Sequence, residues 1–393
     1  MNDDSAPQPH KGATKPGLFR SFWIAGYESS THINPQGLRL DMIAGVQHDA
    51  RALDDYRLLA EFGIRTARDA TRWHLIDRGG GQFDFSSFQP MLQAALAAGV
   101  QVIWDLCHYG WPDDVNLLSP NFIERFGKYC AAVARFFREH TDEAPFYSPM
   151  NEINFLAWGL SEGLLCPPIK GRDAEVKQQL VRAAIAACEA VWSVDARARF
   201  TYPEPIIHVL PPRSRPDLAI AAEQYRRSQF EAWDMIAGYA HPELGGNPKY
   251  LDILGANFYH SNQWEIEGSG RLRWEDEPRD DRWRPLHRIL AEVWTRYERP
   301  LYVAETSHIG SGRARWVCEI GEEVCKAWEA EIPLDGVCLY PILDRYDWCD
   351  SNHWHNSGLW DLVRDEEGGL RRLVNPEYAE ALRITQKRVK RCR

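Results

Sequence analysis

Two glutamates close apolar runs in settings that suit acid–base chemistry. Glu152 follows PFYSPM (Pro145–Met150) and sits between Asn151 and the apolar Ile153, while Glu305 ends LYVA (Leu301–Ala304) ahead of Thr306 and Ser307. A carboxyl kept from water holds its proton toward neutral pH, whereas one beside a cation stays ionised. A pair in unlike settings can therefore divide into a proton donor and a nucleophile. Other polar groups stand at the ends of comparable runs: Glu28, Arg68 with Trp73, His108, Glu204, Asn257 with Tyr259, and Asp347 with Trp348. Asn257 and Tyr259 are two apart, so an extended backbone puts them on one face. Each group alone fits a rim ion pair or a loop cap. Convergence of the whole set is what points to a site.

That convergence needs a scaffold, and the hydrophobic pattern supplies one. The apolar runs are Phe22–Gly26, Ile64–Ala70, Val100–Cys107, Pro145–Met150, Arg199–Pro203, Ile253–Phe258, Leu301–Ala304 and Gly336–Tyr340. Between and after them lie amphipathic stretches with apolar residues at three- and four-residue steps, as in Leu53, Tyr56, Leu59 and Ala60. Gly63 and Gly99 follow two of these stretches, where helices stop. About eight strand–helix units predict an α/β fold, a (β/α)8 TIM barrel with active-site groups at the C-terminal strand ends. An open doubly wound sheet would want a Gly-rich phosphate turn after its first strand, and GYESS is not one. The excess length falls in long loops after strands 6 (Tyr259–Pro285) and 8 (Pro341–Pro376). Residues 1–20 are expected to be a flexible amino-terminal segment and 21–393 a single catalytic domain. Strands 4 and 7 face each other across such a barrel, which sets Glu152 and Glu305 on opposite sides of one bound group. Glycoside hydrolysis needs such a pair: one carboxyl protonates the leaving oxygen and the other attacks the anomeric carbon.

Composition narrows the function further. Lys+Arg 46 against Asp+Glu 56 gives 46 − 56 = −10, which argues against nucleic-acid binding. The basic run Lys387–Arg393 reads as cations at a helix C-terminus. No apolar run reaches the roughly 18 residues of a membrane span. The 9 cysteines are scattered without a Cys-x-x-Cys pair, so free thiols and a cytoplasmic location are expected. The 16 tryptophans exceed what a core requires, and Trp158, Trp264, Trp274, Trp283, Trp348, Trp354 and Trp360 fall in loops over the barrel mouth. His353 and His355 read as a cleft-lining pair rather than metal ligands.

Seven motifs in order carry a family resemblance: RDATRW (Arg68–Trp73), LCHYGWP (Leu106–Pro112), MNEIN, LGANFY, LYVAETS, LYPILDRYDW and SGLWDL. They resemble the retaining β-glycosidases of glycoside hydrolase clan A, and among them family one, the β-glucosidase type. The resemblance implies Glu152 as acid/base, Glu305 as nucleophile and Asn151 on the sugar 2-hydroxyl. It implies Arg68 beneath the nucleophile and Tyr259 orienting it. His108 would hold a ring hydroxyl and Trp348 would stack on the sugar, with Asn257 also in the substrate site. It implies a small carbohydrate as the partner and neither metal nor organic cofactor. The departures fall at the sugar-recognition end. Ile153 stands where the family has Pro, Tyr340–Pro341 where it has Trp-Ser, and Asp347 where it has Glu; Glu28 or His32 substitutes for its amino-terminal Gln. No lysine lies between Asp347 and Arg364, which disfavours a 6-phosphate substrate. The alternatives are a clan A transglycosidase, with an acceptor site in Tyr259–Pro285, and a barrel metal-dependent hydrolase using His108, His308, His353 and His355.

Overall fold

The computed structural model describes residues 17–268 and 270–393. Eight parallel strands close into a barrel: β1 Trp23–Gly26, β2 Thr66–Ala70, β3 Gln101–Asp105, β4 Phe146–Ser148, β5 Arg199–Pro205, β6 Ile253–Asn257, β7 Leu301–Thr306 and β8 Leu334–Leu339. Each pairs with its sequence neighbour, and β1 closes the ring against β8. The expected (β/α)8 barrel is therefore the fold. Strands covered on both faces read as unbroken apolar runs, as ILGAN and LYVAET do here, with every residue buried.

Alternation along the strands sorts side chains into two cores. Ile24, Ile103, Phe146, Ile253, Tyr302 and Cys338 fill the barrel interior. Their neighbours on the same strands, such as Ala25, Trp104, Tyr147 and Val303, pack outward against the helices. Gly26 is needed for close approach: a Cβ there would stand 2.2 Å from Cδ2 of Tyr340, so only glycine lets that ring lie across the barrel mouth. Phe19 closes the opposite end against Phe146 and Tyr302. Residues 1–16 of the expected flexible segment lie outside the described residues.

Three features were not expected. A helix, Ile153–Glu162, starts directly after Glu152. The loop after β6 carries a short strand, Gln263–Glu265, that pairs with His208–Leu210. The loop after β8 ends in a hairpin of β9, Trp360–Arg364, and β10, Leu370–Val374. One expectation is corrected. Cys325 and Cys392 form a disulfide with Cα atoms 5.6 Å apart, which joins the helices Gly312–Glu329 and Pro376–Cys392. The remaining seven cysteines are free, as expected. Among the described residues no helix is long and apolar enough to cross a membrane.

Candidate active site

The C-terminal strand ends enclose a cavity of about 350 Å³. Beneath it Arg68, wholly buried on β2, donates Nε to Asp105 (3.1 Å) and Nη1 to Glu305 (2.7 Å), and Nη2 to Asn151. Asn151 Nδ2 donates to His108 Nε2 (3.0 Å), and His108 Nδ1 meets Asp105 Oδ2 at 3.0 Å. The four side chains form a closed ring, and the partners fix His108 as the neutral tautomer protonated on Nδ1. Both imidazole nitrogens are engaged by protein, so His108 holds Asn151 in place, and its ring lines the cavity as expected of a residue near a ligand.

Glu305 ends β7 with both oxygens engaged, Oε1 by Arg68 and Oε2 by the Tyr259 hydroxyl at 2.7 Å. Glu152 is in a different setting. Its backbone is left-handed at φ +46°, at the start of Ile153–Glu162. Asn257 Nδ2 donates to Oε1 (2.8 Å) and the Tyr109 hydroxyl to Oε2. Burial, and then the negative charge of Glu305, push its carboxyl up to about 7. Asn257 is buried behind Glu152 and aligns it, while its own Oδ1 has no partner. Tyr109, also left-handed at φ +66°, was missed from the sequence because its neighbour His108 drew the attention in CHYG.

Ile153 turns out to matter for its N–H, which Pro lacks. Its amide and that of Asn154 donate to the Glu204 carboxyl at 2.7 and 3.1 Å, capping the helix that carries Glu152. Burial, with Glu152 nearby, raises Glu204 to about 8.

The sugar-recognition candidates separate into those at the cavity and those behind it. Glu28, His108, Tyr340, Trp348 and Tyr259 line it. Glu28 is paired at 3.3 Å with Arg345, a lining residue that sequence reasoning overlooked. His32 lies outside the lining. It packs edge-on behind Trp348 (ring centroids 4.5 Å apart), with neither ring nitrogen bonded and burial lowering it to about 4. Asp347 is also outside the lining: it accepts from the Cys349 amide (2.8 Å) and faces His355 (3.2 Å), so it caps its own loop. Trp274 and Trp360, expected over the mouth, are buried in the core.

Two larger clefts adjoin the cavity. One, about 640 Å³, shares Phe155, Ser261 and Asn262 with it and carries Trp158 and Trp264; the other, about 810 Å³, shares Tyr109. The histidines of the metal-hydrolase alternative are not gathered as that alternative required. His108 is in the Asp105 ring, and His355 lines the cavity from the loop after β8 with His353 beside it outside the lining. His308 instead stands with His260 and Glu275.

Fold and site together define a (β/α)8 barrel with two carboxyls in unlike settings at its mouth. Among solved structures it resembles the family 1 β-glucosidase of Thermotoga maritima, with a TM-score of 0.70 at 16% identity over 87% of each chain. It also resembles the AHE enzyme of Alicyclobacillus herbarius, with a TM-score of 0.73 at 19% identity over 95% of this chain and 99% of that one. A further structure of the Thermotoga enzyme, in complex with glucoimidazole, matches with a TM-score of 0.70 at 14% identity over 87% of this chain and 88% of that one. No family model and no curated protein matches the sequence.

Proposed function

We propose that the protein is a retaining β-glycosidase, an enzyme acting on a neutral β-glycoside or oligosaccharide through a covalent glycosyl-enzyme. The observation that carries this reading is the contrast between two carboxyls at one cavity. Glu152 keeps its proton up to about pH 7, while Glu305 is held on both oxygens by Arg68 and Tyr259. In this mechanism Glu152 gives its proton to the leaving oxygen as Glu305 attacks the anomeric carbon. Glu152, now charged, then takes a proton from the water that releases the sugar. The likeness to β-glucosidases, one of them in complex with glucoimidazole, supports a sugar-sized substrate.

A neutral sugar is favoured by the lining itself. Arg345 is its one Arg or Lys among the described residues, and Glu28 already balances that charge. The pair offers an acceptor beside a donor, which suits neighbouring hydroxyls. Trp348 offers a flat apolar face to the sugar's C–H bonds. The cleft with Trp158 and Trp264 favours transglycosylation as a second reading, because it gives an acceptor room beside Glu152. We read residues 21–393 as one catalytic domain. A cytoplasmic location is favoured by the seven free thiols and opposed by the Cys325–Cys392 bridge.

The test is trapping. A 2-deoxy-2-fluoro β-glycoside, chosen from whichever aryl β-glycoside of a panel turns over, should label the peptide carrying Glu305 as read by mass spectrometry. Turnover of the parent sugar with no label on Glu305 overturns the covalent mechanism. Inactivity on the whole panel overturns the substrate class.

A further inference from the structure

A second group of side chains in the cavity wall has the composition of a metal site. His260 follows Tyr259 beyond the end of β6, His308 lies three residues after Glu305, and Glu275 comes from the long loop after β6. One donor atom from each lies within 4.8 Å of the others. His308 Nε2 meets a Glu275 oxygen at 2.9 Å, while its Nδ1 lies 3.0 Å from the Ile309 carbonyl oxygen and 2.8 Å from the Ile309 amide. With its proton on Nδ1 and donated to that carbonyl, the ring presents Nε2 as a free donor atom, the arrangement of a ligating histidine. The His260 ring lies 4.1 Å from that of His308, and its Nδ1 is buried without a partner.

The surroundings hold this arrangement in place. Trp274 packs on His308 with ring centroids 5.0 Å apart, and its Nε1 donates to Glu319 at 2.8 Å, which anchors the loop segment that delivers Glu275. Gly312 leaves room for the imidazole, since a Cβ there would stand 2.2 Å from His308 Nδ1. Two adjacent imidazoles, one with an unbonded buried nitrogen, are a costly arrangement unless something shared satisfies them.

We propose that His260, Glu275 and His308 bind one divalent transition-metal ion of the zinc class, with its remaining coordination position open to the cavity that both histidines line. Two imidazoles and one carboxylate suit zinc, whereas calcium and magnesium want oxygen ligands. Bonds of about 2.1 Å in a tetrahedral sphere set donors roughly 3.4 Å apart, closer than the 4.8 Å within which these atoms lie, so the side chains would rotate inward to bind. The open position would take a water or a hydroxyl of a bound ligand. The assignment does not depend on the glycosidase reading, because it rests on none of the groups assigned to that chemistry.

The experiment is a titration of the chelator-stripped full-length protein with zinc chloride against a chromogenic chelator, and with cobalt chloride followed by visible absorption. One equivalent of zinc per chain should bind with a Kd near or below about 1 μM, and cobalt should give the intense bands of a four-coordinate site. Glu275→Gln and His260→Ala should each weaken zinc at least 10-fold, while His353→Ala on the outer loop leaves it unchanged. Substoichiometric zinc, or one equivalent that both variants retain, overturns the site. So does binding lost in His353→Ala. Circular dichroism of the metal-free variants verifies folding, and Glu275→Gln, at a partly exposed position, carries the test if His260→Ala does not fold.

Discussion

Arg68 and Asp69 are neighbours on β2, and each anchors a buried ionic network on its own side of the sheet. Arg68 points inward to Asp105, Asn151 and Glu305. Asp69 points outward and accepts from Tyr56 (2.7 Å) and His48 (2.8 Å); His48 also meets Asp55 at 2.8 Å, and Asp55 accepts from Arg372 on β10 at 2.7 Å. The outer network balances two cations against two carboxylates. Both nitrogens of His48 face carboxylates, and although burial alone would lower it, Asp69 and Asp55 raise it to about 9. The inner network ends at a cavity, where the Glu152 carboxyl is pushed up to about 7 and Asn257 Oδ1 and Trp348 Nε1 are left without partners. Similar side chains thus serve two ends. A closed network fixes structure, whereas one left incomplete beside open space is poised to meet a ligand.

Substitutions on the two sides should therefore fail in different ways. Glu305→Gln should give the largest loss, at least about 10⁴-fold in kcat/KM, with a melting temperature close to that of the parent. Near-parental turnover would break the comparison on its inner side. Glu152→Ala should cost roughly 10²–10⁴-fold on substrates with poor leaving groups. The loss should be smaller for an activated aryl glycoside, and added azide should restore turnover as the β-glycosyl azide. Without azide rescue, Glu152 is not the acid/base.

On the outer side, Asp69→Asn leaves a buried imidazolium short of a partner. It should lower unfolding free energy by about 3–5 kcal/mol while kcat per folded molecule stays within about 2-fold. A selective loss of kcat would mean that the two networks communicate through β2. The pH responses should also separate. The folded-state value of His48 is raised, so its contribution is complete below the unfolded value near 6.5 and is lost as pH rises toward about 9. Catalysis needs the protonated form of Glu152 and should fall earlier, as pH rises through about 7.

The inner network was far easier to read from the sequence than its surroundings. Glu152, Asn151, Arg68, Glu305 and Tyr259 sit at or just past strand ends, and buried parallel strands announce themselves as apolar runs. Helix Ile153–Glu162 escaped notice because INFLAWGL is apolar at all but Asn154 and its cap comes from distant Glu204 rather than from its own N-cap residue, so no local pattern marks it. Asp347 was named and Arg345 overlooked for another reason. The loop after β8 has no period, and a shift of two residues decides which side chain faces the cavity and which caps the loop. Cys325 and Cys392 are 67 residues apart, and only the packing of two helices brings them together.

The smallest effect is also the most pointed test of the inner network. The Tyr109 hydroxyl donates to Glu152 and so favours its charged form, opposing the burial and the Glu305 charge that raise it. Tyr109→Phe removes that donor while keeping the ring packed against Phe155. The value for Glu152 should then rise, and the alkaline limb of kcat/KM should move upward. A hydrogen bond to a charged group is worth about 1.5–3 kcal/mol, and one pKa unit is 1.36 kcal/mol, so a shift of roughly one to two units is expected. At neutral pH the rate changes little, because a larger protonated fraction is offset by a weaker acid. An unmoved limb would mean that a group other than Glu152 sets it. Glu204, raised to about 8 beneath the same helix, would then be the first alternative to examine.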